Sequence, residues 1–282
     1  MMSAIPWKVA GSRLDLTKRA MLMGVLNVTP DSFSDGGQFF ATEAATRHGM
    51  EMAQSGAEII DVGGESTRPG ADPVSPDEEM ERVLPVIQQL KAAVSSLISI
   101  DTSKAKVARA ALEAGATIIN DVTGGRGDPE MLALTAETGA ALVIMHMQGT
   151  PRTMQTNPTY GDVVAEVADF FRQQFELAIR SGIDPMCIAF DPGIGFGKTG
   201  AHNLELLANL PRLRLANRPL VVGVSRKSFL GKITGPSSDR TGATVAMTSL
   251  LRERGANVLR VHDVAQNVEA LRTTEALIGA TQ

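Results

Sequence analysis

Polar and ionisable residues follow each short apolar run of the sequence, and they are of the types that bind ligands and catalyse reactions. The runs lead into Asn27, Glu65, Asp101, Asn120, His146, Asp191, Lys227 and Arg260. If the runs are strands of a parallel barrel, these ends meet at one rim. A fold built only for stability would not place so many ionisable groups together, so the whole set predicts a ligand site.

Taken singly, several of these residues have an ordinary structural explanation. Asp101, Asn120 and Asp121 are of types that often cap the helix that follows. His146 is better explained as a hydrogen-bonded rim histidine than as a metal ligand, because no second histidine stands at metal-ligand spacing. Glu65 is either a catalytic acid or the buried partner of a cation. The sequence leaves these alternatives open.

Three of the loops after the runs carry further information. Residues 27–37 form a long polar segment with Phe33 near its centre, a combination typical of a lid that orders over substrate. Residues 63–70 offer backbone amides, two hydroxyls and a guanidinium, which suit an anion. Residues 191–198 are glycine-rich but do not match a nucleotide-binding P-loop, because Pro192 stands where that motif has its first glycine.

The elements that position these loops alternate along the whole chain. Short Val/Ile/Leu-rich runs predict buried parallel strands at 21–28, 58–63, 97–101, 117–122, 141–147, 187–192, 220–225 and 258–264. Amphipathic spacing predicts helices at 42–55, 76–94, 104–114, 129–138, 162–181, 202–209, 242–254 and 264–279. Eight such units in one chain favour a (β/α)8 TIM barrel, and we expect residues 1–282 to form a single domain. An open doubly wound sheet is the alternative, but it lacks its usual glycine-rich dinucleotide turn here.

Composition limits the classes of partner and the compartment. The 282 residues carry a formal net charge of -4, so we expect no binding to nucleic acid or to an anionic membrane. The N-terminus lacks the apolar stretch of a signal peptide, and no run is long enough to span a bilayer. Cys187 is the only cysteine and lies in an apolar run, which predicts a buried thiol in a soluble cytoplasmic protein.

Eight short segments, taken together, resemble one enzyme family. The segments are NVTPDSFSDGG, DVGGESTRPG, SIDTSK, INDVTGG, VIMHMQGTP, FDPGIGFGK, SRKSF and RVHDV. In this order they are similar to the signature segments of the dihydropteroate synthases. The resemblance extends from about residue 21 to residue 268. It implies a transferase of folate biosynthesis that joins 6-hydroxymethyl-7,8-dihydropterin diphosphate to p-aminobenzoate, a homodimer, and a target of sulfonamides.

The resemblance also implies roles for individual residues. The pterin-binding positions are Asp101, Asn120, Asp191 and Lys227, with Met145 and Phe196 near the ring. The diphosphate-binding positions are Asn27, Arg68, Arg260 and His262, and Mg²⁺ is expected on Asn27 and Asp35. The p-aminobenzoate positions are Phe33, Thr67, Pro69 and Ser228. The catalytic positions are Asp101, Lys227, Arg260 and Asp35.

The implied mechanism is loss of diphosphate, assisted by Mg²⁺, before the aniline nitrogen attacks the pterin methylene carbon. The sequence indicates no nucleophile–base pair, so we expect no covalent enzyme intermediate. A paired carboxylate and amide suit the pterin because they make the site selective. When an analogue lacks the matching atoms, the polar groups of the site stay unsatisfied, and the analogue is rejected.

Three other functions remain alternatives. A pterin-binding methyltransferase domain shares the barrel but does not need the SFSDGG and STRPG segments. A Schiff-base enzyme using Lys227 would need an apolar pocket to lower the pKa of that lysine, and the residues around it, beginning with Arg226, indicate a polar rim. A non-catalytic pterin-binding protein would not need the residues that hold a diphosphate.

Overall fold

A computed structural model describes residues 4–29, 37–67, 70–235 and 239–280, without the side chains of residues 37–40. The strands are β1 (Pro6–Val9), β2 (Ser12–Asp15), β3 (Met21–Asn27), β4 (Ile59–Gly63), β5 (Leu97–Asp101), β6 (Ile118–Asp121), β7 (Ala141–Met145), β8 (Ile188–Asp191), β9 (Val221–Gly223) and β10 (Val258–Val261). The helices are α1 (Gly37–Gln54), α2 (Pro76–Ala93), α3 (Ala105–Ala114), α4 (Met131–Thr138), α5 (Val163–Arg180), α6 (Gly200–Ala208), α7 (Ser228–Thr234), α8 (Thr241–Glu253) and α9 (Val264–Ala280).

Eight of the strands form one parallel sheet in the order β8-β7-β6-β5-β4-β3-β10-β9. The two ends of this sheet meet, because Phe190 in β8 bridges Leu220 just before β9 and its amide donates to the Pro219 carbonyl at 2.9 Å. The sheet is therefore closed, which confirms the (β/α)8 barrel and excludes the open doubly wound sheet.

Each strand directs alternate side chains into the barrel and toward the helices. At the ends where the strands begin, the inward residues form a buried apolar layer that we call the lower layer. It consists of Met23, Ile59, Ile118, Ala141, Val143, Ala189, Val221 and Val258, together with Trp7, Val9 and Leu16. The opposite strand faces pack against the helices in the larger buried cluster, as expected for a parallel sheet covered on its outer face.

An N-terminal hairpin of β1 and β2 covers the lower layer. Its Trp7 is fully buried, and the indole Nε1 donates to the Cys187 carbonyl at 3.1 Å. Cys187 itself is buried, as predicted, and burial raises the pKa of its thiol. The hairpin closes the end of the barrel opposite the predicted ligand site.

The helix boundaries mostly follow the local signals in the sequence. Ser75 Oγ accepts from the Glu78 amide at 3.2 Å, and Pro76 occupies the first position of α2. Gly139 ends α4 with a φ of 65°, a left-handed conformation that glycine adopts without strain. Within the described part of the chain, no helix has the length and apolarity needed to cross a membrane.

The β1–β2 hairpin and helix α7 were not predicted. The β1–β2 hairpin turns at Ala10 and Gly11, both with positive φ, and Ala10 gives none of the usual Asn-Gly or Asp-Gly signal. Helix α7 has seven residues and contains Gly231, so its periodicity is too short to recognise. The predicted strand 187–192 was also too long at both ends, since β8 covers Ile188–Asp191.

Candidate active site

Arg260 lies at the centre of a charged cluster above the lower layer. Its guanidinium donates from Nε to Asp61 Oδ2 at 2.6 Å and from Nη2 to Asp101 Oδ2 at 2.7 Å. Burial lowers the pKa of Arg260, but the carboxylates of Asp61 and Asp101 outweigh it, so that this pKa is raised above its usual value. Arg260 is therefore a permanent cation held by carboxylates of β4 and β5.

Asn120 shares the carboxylate of Asp61. Its Nδ2 donates to Asp61 Oδ2 at 3.0 Å, and both residues are buried, Asp61 completely. The register places Asn120 beside Asp101 on neighbouring strands, with the next pair formed by Asp101 and Gly63. Amide, carboxylate and guanidinium groups thus lie within one inward-facing layer, which we call the upper layer.

Two carboxylates of the upper layer have raised pKa values. Burial is the main cause that brings the pKa of Asp101 to about 7; the Arg260 guanidinium opposes this shift, and the carboxylate of Asp61 adds to it. Burial also raises the pKa of Asp191, although the hydrogen bond from the Gly193 amide and the charge of Lys227 oppose it. These carboxylates can accept N–H groups of a ligand, and they can balance a cation that replaces water.

Lys227 follows β9 and reaches the same region. Its ammonium donates to the Ile194 carbonyl and lies 4.4 Å from the centre of the Phe196 ring. Burial lowers the pKa of Lys227 to about 8, while Asp191 raises it and Arg260 lowers it further.

The expectation that nothing would depress the pKa of Lys227 was therefore wrong. The desolvating groups, Phe196 and Ile194, come from a loop some 30 residues earlier in the chain and are invisible beside Lys227 in the sequence. A Schiff-base role remains disfavoured for another reason, because the amine is still an ammonium at neutral pH and is engaged by a carbonyl and a ring.

Asp191 and the glycine-rich loop after β8 shape the same pocket. Asp191 Oδ1 accepts from the Gly193 amide at 2.7 Å, and Met145 pairs with Asp191 in the sheet register. At Gly193 the φ is 65°, and a Cβ would lie 1.9 Å from the His146 carbonyl oxygen, so only glycine fits. The close approach of these two loops positions Phe196 over Lys227.

His262 is held by a serine that the sequence did not single out. Ser225 is buried, and its Oγ lies 3.2 Å from the His262 amide and 3.0 Å from His262 Nδ1. The sequence indicated no nucleophile–base pair, and this hydroxyl–imidazole contact was not foreseen. Oγ accepts from the amide, and it can either donate to Nδ1 or accept from it. The pair fixes the orientation of the His262 ring at the end of β10.

The remaining predicted positions lie at the rim. Asn27 ends β3 opposite Gly63, Thr67 follows β4, and Ser228 begins α7 next to Lys227. Four predicted positions fall outside the described residues: Phe33, Asp35, Arg68 and Pro69.

Asn27 is the described residue that fits the expected Mg²⁺. It is half-buried at the carboxyl end of its strand, and its amide oxygen is of the class that Mg²⁺ prefers. Among the residues that the structure describes, no three His, Cys, Asp or Glu side chains are grouped for a metal. An ion that keeps its waters and binds a diphosphate needs only one or two protein oxygens, so the donor set fits Mg²⁺ bound together with substrate.

For three of the residues whose role the sequence left open, the contacts support the structural explanation. His146 Nδ1 lies 2.9 Å from Lys198 Nζ, and burial lowers the pKa of His146 to about 3, as expected for a hydrogen-bonded rim histidine. Glu65 Oε2 accepts from Lys104 at 2.8 Å, so it is the partner of a cation. Asp121 accepts from two amides of the turn that follows β6.

Asp61 is a second site residue that the sequence analysis missed. It lies inside the run 58–63, which was interpreted as a strand only, whereas attention went to the residues after each run. A carboxylate within a buried parallel strand, two residues before the strand end and hence on the same face as that end, is the signal that would have identified it.

Comparisons with known proteins agree with this site. The family described as pterin binding enzyme matches residues 23–262. A dihydropteroate synthase of Synechocystis is 46% identical over 274 residues, covering 96% of this chain and 95% of the relative. A structure of the Xanthomonas albilineans dihydropteroate synthase with 4-aminobenzoic acid has a TM-score of 0.91 at 45% identity, covering 98% of this chain and 99% of that one.

A structure of the Yersinia pestis dihydropteroate synthase with a sulfonamide drug complex has a TM-score of 0.90 at 43% identity, covering 97% of this chain and 99% of that one. The agreement extends over nearly the whole chain, which favours this enzyme over the methyltransferase alternative. By sequence and by fold, the chain belongs to the dihydropteroate synthases, which are pterin-binding transferases.

Proposed function

We propose that the protein joins 6-hydroxymethyl-7,8-dihydropterin diphosphate to p-aminobenzoate by Mg²⁺-assisted loss of diphosphate, giving 7,8-dihydropteroate. The observation that carries the proposal is the upper layer, in which Arg260 is paired with Asp61 and Asp101 while Asn120 shares the same carboxylate. The bound 4-aminobenzoic acid of the Xanthomonas enzyme and the sulfonamide of the Yersinia enzyme support p-aminobenzoate as the second substrate and sulfonamides as inhibitors.

The pterin ring suits the upper layer because its edge carries both N–H donors and carbonyl or ring-nitrogen acceptors. Asp101, Asn120 and Asp191 supply acceptors, and Lys227 supplies a donor. Met145 and Phe196 lie beside these groups and offer apolar contact to the faces of a flat ring. Buried acceptors of this kind reject rings that leave them unpaired.

Loss of diphosphate leaves positive charge on the pterin methylene and ring, and the pocket is prepared for it. Desolvation raises the pKa values of the Asp101 and Asp191 carboxylates, so a cation beside them restores their charge balance. Arg260 and His262 project from the end of β10, next to β9, where barrels commonly bind phosphate. They stabilise the charge on the leaving diphosphate.

Mg²⁺ would be held by Asn27, and by Asp35 as the resemblance implies, where it supplies charge neutralisation to the diphosphate. Arg68 is proposed as a further diphosphate ligand. For p-aminobenzoate we propose Thr67 and Ser228, which stand at the rim above the pterin pocket, together with Phe33 and Pro69.

We also propose that residues 1–282 form one domain, since the N-terminal hairpin packs on the lower layer and α9 packs against β3. The family implies a homodimer, and the single cysteine of the chain suits a cytoplasmic location. Sedimentation at micromolar concentration tests the dimer directly.

The test of the proposed function is release of diphosphate from the pterin substrate, measured with and without p-aminobenzoate and Mg²⁺. We expect dihydropteroate to form only when all three are present and a sulfonamide to inhibit it. Chelation with EDTA, followed by return of Mg²⁺, separates a metal requirement from damage to the protein. Binding of the pterin without any product in the presence of Mg²⁺ would instead indicate a non-catalytic pterin-binding protein.

A further inference from the structure

Asp61 occupies an unusual place among the charged groups of the site. It lies within β4 and is completely buried, whereas Asp101 and Asp191 are the last residues of their strands. One of its oxygens, Oδ2, accepts from both Arg260 Nε at 2.6 Å and Asn120 Nδ2 at 3.0 Å. Its other oxygen, Oδ1, has no hydrogen-bond partner among the described residues. Burying a carboxylate with one oxygen unpaired is unfavourable, so its retention needs a reason.

The contact with Asn120 restricts the orientation of an amide. A side-chain amide has a donor end and an acceptor end of nearly the same shape, and alone it can present either end to a ligand. A carboxylate only accepts hydrogen bonds, so Asp61 holds the Nδ2 end of Asn120 against the barrel interior. The planar amide then directs its Oδ1 away from Asp61, toward the pocket.

We propose that Asp61 is a positioning residue that fixes the amide orientation of Asn120, and with it the affinity of the pocket for the pterin ring. It acts through Asn120 rather than by touching substrate, because it is completely buried. The contact with Arg260 ties the same carboxylate to the diphosphate end of the site. The inference rests on the proposed function only for the identity of the ring.

Two substitutions at Asp61 separate the acceptor from the charge. Asp61→Asn keeps an oxygen that can accept from both Asn120 and Arg260, and it places the new NH₂ where the unpartnered oxygen was. Asp61→Ala removes the acceptor, so Asn120 is free to reverse. We expect Asp61→Ala to weaken binding of 6-hydroxymethylpterin by about thirtyfold and Asp61→Asn by less than about fivefold, since a lost buried hydrogen bond to a charge accounts for roughly 2 kcal/mol.

The chain offers a matched control in Ser99. It faces Asp61 in the sheet register, is completely buried, and also has a side-chain oxygen without a partner in the described residues. Ser99→Ala disturbs the same layer without touching the contacts of Asn120. We expect its pterin affinity to match that of the unsubstituted protein.

The experiment is calorimetric titration of each folded variant with 6-hydroxymethylpterin, with a thermal scan to give the folded fraction. The double variant Asp61→Ala/Asn120→Ala should bind no more weakly than Asn120→Ala within about threefold, because coupled residues are not additive. If the losses of the two single variants multiply in the double variant, or if folded Asp61→Asn loses more than about fivefold in affinity, the positioning role is overturned. If Asp61→Ala does not fold, the affinity limit given for Asp61→Asn still tests the proposal. Failure of the unsubstituted protein to bind the pterin would count against the proposed function instead.

Discussion

The lower and upper layers of the barrel interior are built by the same strands, two residues apart, yet they have opposite chemistry. Ile59 in β4 is followed on the same face by Asp61, and Val258 in β10 is followed by Arg260. The lower layer is apolar and covered by the hairpin. The upper layer holds carboxylates whose burial raises their pKa values. Two residues along a strand therefore separate the layer that stabilises the barrel from the layer that forms the candidate ligand site.

This separation lets the upper layer tolerate an unfavourable arrangement. Each buried carboxylate there is stable only through a specific partner, and Arg260 serves two of them at once. The lower layer gains stability from apolar burial that needs no specific partner. Substitutions in the two layers should consequently differ in which property they change.

The largest effect is expected from Arg260→Met, which breaks the upper layer. It leaves Asp61 and Asp101 without their cation and removes a ligand of the diphosphate. We expect destabilisation of about 3–5 kcal/mol and a loss of kcat/KM of at least about a thousandfold. Urea unfolding and the dihydropteroate assay measure the two effects. The control is Arg109→Met, which removes an exposed, solvent-screened pair with Glu137 and should leave the urea midpoint nearly unchanged. Unchanged turnover in Arg260→Met would contradict the assignment.

The next effect tests the lower layer alone. Trp7→Ala empties a fully buried site at the base of the barrel and removes the hydrogen bond to Cys187. We expect a loss of about 3–5 kcal/mol in the free energy of unfolding, with the kcat and both KM values of the folded protein unchanged. Leu204→Ala, at an exposed position of α6, is the control and should lose less than about 1 kcal/mol. A large change in KM for either substrate would show that the two layers are not independent.

The distinction between layers was only partly predictable from the sequence. Val/Ile-rich runs at regular spacing predict the barrel, because parallel strands buried on both faces need such runs. The same runs make Asp61 hard to recognise as a site residue. A single carboxylate inside a run such as Ile59-Ile60-Asp61-Val62 looks like a chance polar residue in a strand. What that carboxylate does depends on Arg260 and Asn120, which are 199 and 59 residues away.

The same limit applies to the electrostatics of the pocket. The positions of Asp101 and Lys227 followed from the sequence, through the polar strand ends and the family resemblance. Their pKa values did not, because burial by loops from other parts of the barrel sets them. The hairpin was not predicted for a related reason. Trp7 is buried by the base of the barrel, and that base exists only in the closed sheet.

A pH titration sharpens the comparison, because the two layers should respond differently. Asp101, with a pKa of about 7, must be ionised to accept an N–H group, and Lys227, with a pKa of about 8, must be charged to donate. We expect pterin affinity to be highest between pH 7 and 8 and to fall by about tenfold for each pH unit below this range. Calorimetric titration from pH 5.5 to 9.5 measures this profile. Because the groups interact, the apparent pKa values belong to the coupled set and not to single residues. Asp101→Asn should remove the acidic limb, and a flat wild-type profile would contradict the assignment.

Below pH 7 the stability of the fold should change with pH in the direction opposite to pterin affinity. The folded pKa of Asp101 lies above its ordinary value of 3.8, so the folded form binds more protons than the unfolded form between about pH 4 and 7. The Asp101 contribution to stability is therefore present below pH 4 and is lost as the pH rises to 7. Urea midpoints of wild type and Asp101→Asn, compared at pH 5 and pH 7, isolate this contribution. Trp7→Ala should shift both midpoints without altering the difference.

The smallest effect is expected above the upper layer, where an ion cluster fixes the loop after β4. Glu65 Oε1 accepts from the Val74 amide at 2.9 Å, and its Oε2 accepts from Lys104, which also pairs with the buried Glu79. Glu65→Gln keeps the first bond and weakens the second, so the segment carrying Thr67 loses one anchor. We expect a three- to tenfold rise in KM for p-aminobenzoate, since a partly exposed pair contributes about 1 kcal/mol, with pterin affinity unchanged. Steady-state kinetics with each substrate varied in turn make the test. The control is Asp77→Asn, which alters an exposed pair between α2 and Lys106 of α3. An equal loss for both substrates would mean that this cluster supports the upper layer itself, and that the site has no separately anchored rim.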